Sequence, residues 1–211
     1  GAHKANFFRL KLRDIKNLSV DGTLQMLETS IHQRAVKVST QGFPNYFGEQ
    51  RFGFQGANLN KALAMLNSKR KLTRSKKSLY LSSVRSFYFN LILSERVAKQ
   101  SWNRYQQNDR LLLAGTNSYF TLSERSEEEI NTTNVRLDQG DVHIGGMLAG
   151  ASRGSDRDSR KLVCTEREGE LIDSYPEFAR LLEKNQVEPG VRAFRVVPEQ
   201  LRVNLVDDTL D

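Results

Sequence analysis

Near the start of the chain apolar and basic positions alternate, with Phe8, Leu10 and Leu12 on one side and Arg9, Lys11 and Arg13 on the other. A period of two is that of a half-buried strand, here with a wholly basic outer face. The period then changes. Leu24, Leu27, Ile31, Ala35 and Val38 fall on one stripe of a helix that Asp21 or Thr23 can cap. A loop of Gly, Pro, Asn and aromatic residues runs from Gly42 to Gly56, after which Leu59, Ala62, Leu63 and Leu66 predict a short amphipathic helix. From about Leu79, the residues Val84, Phe87, Tyr88, Leu91 and Ile92 recur at helical spacing and continue toward Ala98, the longest helix the sequence predicts.

Past Trp102 the pattern shortens. Leu111–Leu113 and Tyr119–Leu122 read as strands or tight turns, and Ser152–Ser159, poor in apolar residues and carrying both signs of charge, as an exposed mobile loop. Phe178, Leu181 and Leu182 predict a helix that Pro189-Gly190 closes, and Leu201, Val203 and Leu205 alternate with Arg202 and Asn204 as a strand. Strands and helices mixed without a regular strand-helix-strand repeat favour an α+β arrangement over a doubly wound one.

Composition narrows the class. At 38% hydrophobic and 27% charged over 211 residues, the chain has what a soluble globular protein with a real core needs. No apolar run approaches the length of a membrane span and no leader is visible at the start, so a cytoplasmic location is the default. The single cysteine, Cys164, excludes an internal disulfide and fits a reducing compartment. His3, His32 and His143 stand far apart in no metal-ligand spacing, so no metal is assigned. A net charge of +7 favours polyanionic partners, leaving RNA, DNA and membrane surface all open. The excess is uneven: Lys69 to Lys77 is a basic run, although such runs are most often solvated loops.

The spacings of a nucleophile with its base, a carboxylate pair, a phosphate-cradling glycine loop or a metal cluster are all missing from the sequence. Gly145-Gly146 and Gly115-Thr116 read as turns. The segment Gly42-Phe43-Pro44-Asn45-Tyr46-Phe47-Gly48-Glu49-Gln50-Arg51-Phe52-Gly53 differs in kind, because glycines let backbone approach a partner, aromatics offer stacking faces and Arg51 can reach a phosphate. The alternative is a buried aromatic turn joining two elements.

That segment resembles the Gly-x-Pro-Asn-Tyr-Phe-Gly-x-Gln-Arg-Phe-Gly signature of the TruD family of tRNA pseudouridine synthases. Gly1-Ala2-His3-Lys4-Ala5-Asn6-Phe7-Phe8 is similar to the family's Gly-Ala-Leu-Lys-Gly-Asn-x-Phe, departing at His3 and Ala5. Leu81-Ser82-Ser83-Val84-Arg85-Ser86 with Phe89-Asn90 is similar to its Leu-Ser-x-x-Arg-Ser-x-x-Phe-Asn. Arg192-Ala193, with Pro198, Gln200 and Leu201, resembles the stretch where the family's inserted domain returns to the catalytic one. The resemblance implies isomerisation of uridine to pseudouridine in tRNA, at position thirteen in bacterial members, with no cofactor. It implies part of the catalytic pseudouridine synthase domain, a mostly antiparallel sheet with helices, over residues 1–41. An inserted α/β TRUD domain follows over 42–190, and residues 191–211 return to the catalytic domain.

The same resemblance implies that Asn6 and Phe8 meet the target uridine and that Lys4, Tyr46, Gln50, Arg51, Lys76, Lys77 and Arg85 contact RNA. From the residues alone, Asn6 could equally cap a turn and Phe8 could belong to a core with Leu10 and Leu12. The family's catalytic aspartate lies in a Gly-x-Lys-Asp motif that precedes the Gly-Ala-Leu-Lys segment, and that motif occurs nowhere in these residues. The expectation is therefore an RNA-binding piece without activity of its own, its partners being tRNA and the missing N-terminal and C-terminal segments of the same polypeptide. Arg136-Leu137-Asp138 imitates a string of other pseudouridine synthases, and a surface turn is the expected reading there. Competing readings are a non-catalytic RNA-binding module or tRNA chaperone, and a DNA-binding or generic basic scaffold.

Overall fold

In the computed structural model, residues 6–13, 24–68, 71–122, 126–151 and 165–204 are described. The chain divides into two compact units, Gln41–Val197 and a smaller one made of the residues before and after it. In the smaller unit, helix α1 spans Leu24–Gln41, with Leu27, Ile31, Ala35 and Val38 half-buried along the expected stripe. The proposed caps, Asp21 and Thr23, lie outside the described residues.

Residues 6–13 do not form the expected strand. They carry no regular structure and are exposed, Phe8 at 82%, Leu10 at 81% and Leu12 at 74%, and they pair with no described strand. Alternation supplies an apolar face, but a strand also needs a hydrogen-bonding neighbour, and the pattern says nothing of that neighbour. The same holds for Leu201–Asn204, which carry no regular structure; Leu205 lies outside the described residues, as do Ser152–Ser159 and Cys164.

The larger unit is built on an antiparallel sheet. Strands β2 (Arg110–Leu113), β3 (Tyr119–Phe120), β4 (Val142–Leu148) and β5 (Gly190–Ala193) lie in the order β3-β2-β4-β5. A separate short pair joins β1 (Phe43–Pro44) to β6 (Arg195–Val196). Helices α2 (Ala57–Asn67), α3 (Arg74–Ala98), α4 (Glu127–Gln139), α5 (Glu166–Ser174) and α6 (Pro176–Lys184) complete the unit. Strands and helices in this arrangement make the chain α+β.

Helix α3 organises two cores. Leu81, Val84 and Tyr88 pack with Ala62 of α2, Met147 of β4, and Phe178, Leu181 and Leu182 of α6. Further along, Phe89, Ile92 and Leu93 pack with Leu111, Leu137, Val142, Ile144, Leu171 and Phe194. The ring of Phe89 is fully buried and lies 5.3 Å from that of Phe194, so Phe89→Ala costs about 3–5 kcal/mol. The basic run is partly absorbed into α3, which starts at Arg74, earlier than the apolar stripe suggested. Its cap is Thr73, whose hydroxyl accepts from the backbone N–H of Lys76.

Gly145 and Gly146 are not a turn but the middle of β4, both buried. A Cβ on Gly145 would sit 2.0 Å from Leu112 Cδ1, and one on Gly146 would sit 2.1 Å from Phe194 Cε1. Glycine appears there because large side chains close over the strand from both faces. Gly115, by contrast, does turn the β2–β3 hairpin, with φ at +71°. Residues 135–140 are the last turn of α4 rather than a surface turn: Leu137 is buried and Gly140 closes the helix at φ +82°. Three glutamates at the start of α4 suit the positive end of its dipole.

Candidate functional site: an aromatic loop clasped by helix α3

The loop after α1 is fastened at four points. Gly42, at φ +74°, passes so close to the chain that a Cβ would lie 2.4 Å from the Val196 carbonyl oxygen, and Phe43-Pro44 then pair with Arg195-Val196. Asn45 continues the seam: its backbone N–H donates to Phe194 O at 2.8 Å, its Nδ2 to Ala193 O at 2.9 Å, and its Oδ1 accepts from Arg192 Nη2 at 2.6 Å. Asn90, on α3, holds both polar groups of the Phe47 backbone, accepting from its N–H at 3.0 Å and donating to its carbonyl at 2.9 Å. The amide side chain thus imitates a ladder partner for a residue that belongs to no strand.

The fourth point is Arg51. Its carbonyl accepts from Ser83 Oγ at 2.8 Å and Asn58 Nδ2 at 3.2 Å, and its own Nη1 donates to Ser82 Oγ at 2.8 Å. Gly53 turns at φ +73° with Asn58 2.9 Å from where a Cβ would stand. The two motifs read from the sequence therefore dock onto each other: Ser82, Ser83 and Asn90 of the helix motif grip the loop motif.

Gripping sorts the aromatic residues. Phe47 turns inward, half-buried, its ring edge-on to Phe89 at 5.5 Å. Phe43, Tyr46 and Phe54 turn outward, 43%, 40% and 85% exposed. Neither alternative left open by the sequence holds alone, since one side of the loop is a packed joint and the other an aromatic face in water. Glu49, Gln50 and Arg51 are also exposed.

Two guanidiniums crowd one ring. Arg51 Cζ lies 5.4 Å and Arg192 Cζ 4.2 Å from the centroid of Phe47. Burial, and then the charge of Arg51, hold Arg192 below its ordinary value. Neither arginine forms an ion pair with a carboxylate among the described residues, and Arg192 Nε is covered without an acceptor. The sequence reading did not name Arg192 as a site residue; its place beside Ala193 in the return segment was the available signal.

The other expected contact residues lie on other elements. Lys76 and Lys77 are exposed on the first turns of α3, and Lys77 is five residues, about 8 Å of helix rise, from Ser82. Arg85 is half-buried and committed to the fold: Nε donates to Ala149 O at 3.0 Å and Nη2 to Glu188 O at 2.9 Å, and burial lowers its pKa. These bonds make Arg85 a tether from α3 to the chain after β4 and before β5. Asn6 and Phe8 belong to the smaller unit, in its exposed segment without regular structure, and Lys4 lies outside the described residues. Asp138 is an exposed residue of α4 paired with Arg104 at 2.7 Å, both side chains at least half in water.

A recess of about 350 Å³ elsewhere in the unit is lined by Arg96, Asp109, Arg110, Glu168 and Phe194. Within it Arg96 pairs with Asp109 and Arg110 with Glu168. No group of three or more potential metal ligands occurs among the described residues.

Comparison with known proteins places this architecture. Residues 57–167 match the family model for tRNA pseudouridine synthase D (TruD). A tRNA pseudouridine synthase D of Methylococcus capsulatus is 34% identical over 210 residues, which is 99% of this chain and 54% of that protein. A Methanosarcina mazei protein crystallised as a candidate tRNA pseudouridine synthase D (TruD) superposes with a TM-score of 0.52, covering 84% of this chain and 57% of the other. At 15% identity that likeness shows the fold alone. The class is that of the pseudouridine synthases. Within it, the chain belongs to the TruD family, and it spans about half the length of the curated relative it matches.

Proposed function

We propose that this chain is the RNA-holding part of an enzyme that converts uridine to pseudouridine in tRNA, at position thirteen, and that it makes no pseudouridine by itself. The observation that carries the reading is the clasped loop, which holds Arg51 in place and leaves Phe43, Tyr46 and Phe54 exposed to water. Unpaired bases stack on such side chains and their phosphates pair with guanidinium, whereas the stacked bases of a duplex are out of reach. The isomerisation breaks a carbon–nitrogen glycosidic bond and remakes it through carbon, so the base must leave its stack and a carboxylate must meet the sugar or base. The family's Gly-x-Lys-Asp is not among these 211 residues, and Asp138, exposed and already paired with Arg104, is no substitute.

In this reading Tyr46, Gln50, Arg51, Lys76 and Lys77 meet RNA, Lys4 adds charge near the target, and Asn6 and Phe8 meet the uridine. The first 41 residues and the last 21 belong to the catalytic domain, completed by polypeptide beyond this chain that covers the exposed side of Phe8, Leu10 and Leu12. Residues 42–190 form the inserted domain. The setting is cytoplasmic, in keeping with the lack of any helix long and apolar enough to cross a membrane among the described residues. Tritium release from uridine-labelled tRNA tests the proposal: the chain alone gives none, and release returns when the aspartate-bearing segment is joined to it. Release by the chain alone overturns it.

A further inference from the structure

We infer that Arg51 and Arg192, gathered around the ring of Phe47, form a subsite for one RNA backbone phosphate. The inference rests on the RNA-binding reading above and assigns a specific contact to it, through a residue, Arg192, that no motif singles out as functional.

Four observations converge. Two like charges share one aromatic ring, at 5.4 and 4.2 Å from its centre, which is unfavourable unless an anion joins them. The burial and repulsion already noted at Arg192 have no carboxylate opposing them, although this chain pairs many other arginines, Arg96, Arg104, Arg110, Arg136 and Arg167 among them. Arg192 Nε is a covered donor lacking an acceptor, which disfavours the arrangement unless a ligand supplies one. Finally, the geometry is enforced: Asn45 accepts from Arg192 Nη2, Ser82 accepts from Arg51 Nη1, and Asn90 holds the backbone of Phe47, the ring both guanidiniums share. Each guanidinium spends one recorded hydrogen bond on a neutral oxygen and keeps further donors for a ligand. Phosphate suits the site better than a carboxylate side chain, since its several oxygens can accept from both forks at once.

Arg51 shares its loop with Tyr46 and Phe54, whose exposed rings are open to stacking by unpaired bases. Phe47 serves as the floor, holding both guanidiniums through its π face while its edge stays packed on Phe89.

The test measures binding of an unmodified tRNA transcript to the whole chain across a salt series, with Arg180→Gln on α6 as an exposed control. Arg51→Gln and Arg192→Gln each weaken binding roughly tenfold and lower the slope of log affinity against log salt by about 0.7–0.9. Arg192→Lys keeps the slope, because the charge remains, but not the full affinity, because the fork is lost. Inorganic phosphate, titrated against the Nε–H resonances of the wild-type chain, shifts Arg51 and Arg192 and leaves Arg180 in place. If tRNA binds the wild type and both glutamine variants match it in slope and affinity, the subsite is wrong while the broader reading stands. If tRNA does not bind at all, the broader reading fails, and the phosphate titration alone decides the subsite. A variant that loses thermal stability without any change in slope marks the arginine as structural and overturns the inference.

Discussion

Removing the carboxylate of Glu168 tests how the larger unit is held together. Glu168 and Arg110 are almost completely buried, and the carboxylate accepts from Arg110 Nη1 at 3.0 and 3.3 Å and also from Nη2. It also accepts from the backbone N–H of Met147 at 3.0 Å on the central strand, and from that of Thr165 at 2.9 Å in the capping box of α5. One side chain thus ties β2, β4 and the start of α5. Glu168→Ala leaves a buried guanidinium without counter-charge, which costs about 3–5 kcal/mol, and takes away an N-terminal cap worth roughly another 1 kcal/mol. A total loss of about 4–6 kcal/mol lowers the melting temperature by roughly 8–24 °C for a unit of this size. Arg110→Met with Glu168→Gln removes both charges together and recovers at least half of that loss, because an amide oxygen still serves Met147. Thermal and urea denaturation followed by circular dichroism give the three values. A cost below about 1 kcal/mol for Glu168→Ala, or strict additivity in the pair, refutes the view that the buried charge pair holds these elements together.

Other outcomes follow from single contacts. Asn90→Ala removes both hydrogen bonds to Phe47 and costs about 1–2 kcal/mol, and amide exchange at Phe47 and Arg51 speeds up ahead of exchange in β4. Gly146→Ala drives a methyl into Phe194 and destabilises by about 1–3 kcal/mol or more, and Phe194→Leu in the same chain restores part of it. His143 Nδ1 faces Arg195 Nη2 at 3.0 Å and Nε at 3.2 Å, so it must act as acceptor, and burial first and Arg195 second keep its pKa below the usual value, against a smaller opposing pull from Asp141. Protons therefore bind the unfolded chain in preference, and stability falls as pH drops below about 6.5 toward the folded value. In urea titrations at pH 7.5 and 5.5, His143→Gln loses part of that dependence; an unchanged pH profile sinks the assignment.

What the sequence made legible was whatever repeats. The stripes of α2 and α3 announced themselves because each buries one face against a large core, and the β2–β3 hairpin showed as two apolar runs around Gly115. The central strand did not: β4 is covered on both faces, and its Gly-Gly, which frees space for Leu112 and Phe194, looks like a turn. Arg136-Leu137-Asp138 misled likewise, since only the packed structure reveals that Leu137 is core. At the site, motif spacing identified the loop and the helix but not what passes between them. Asn90 and Ser82 were visible as motif residues, yet their work is to hold a backbone and an arginine more than thirty residues away. Arg192 was visible only as part of the return segment, because its place at the site comes from standing beside Arg51 without an acid. A functional arginine of that kind is recognised by the missing counter-charge, and that is a property of three-dimensional neighbours rather than of sequence.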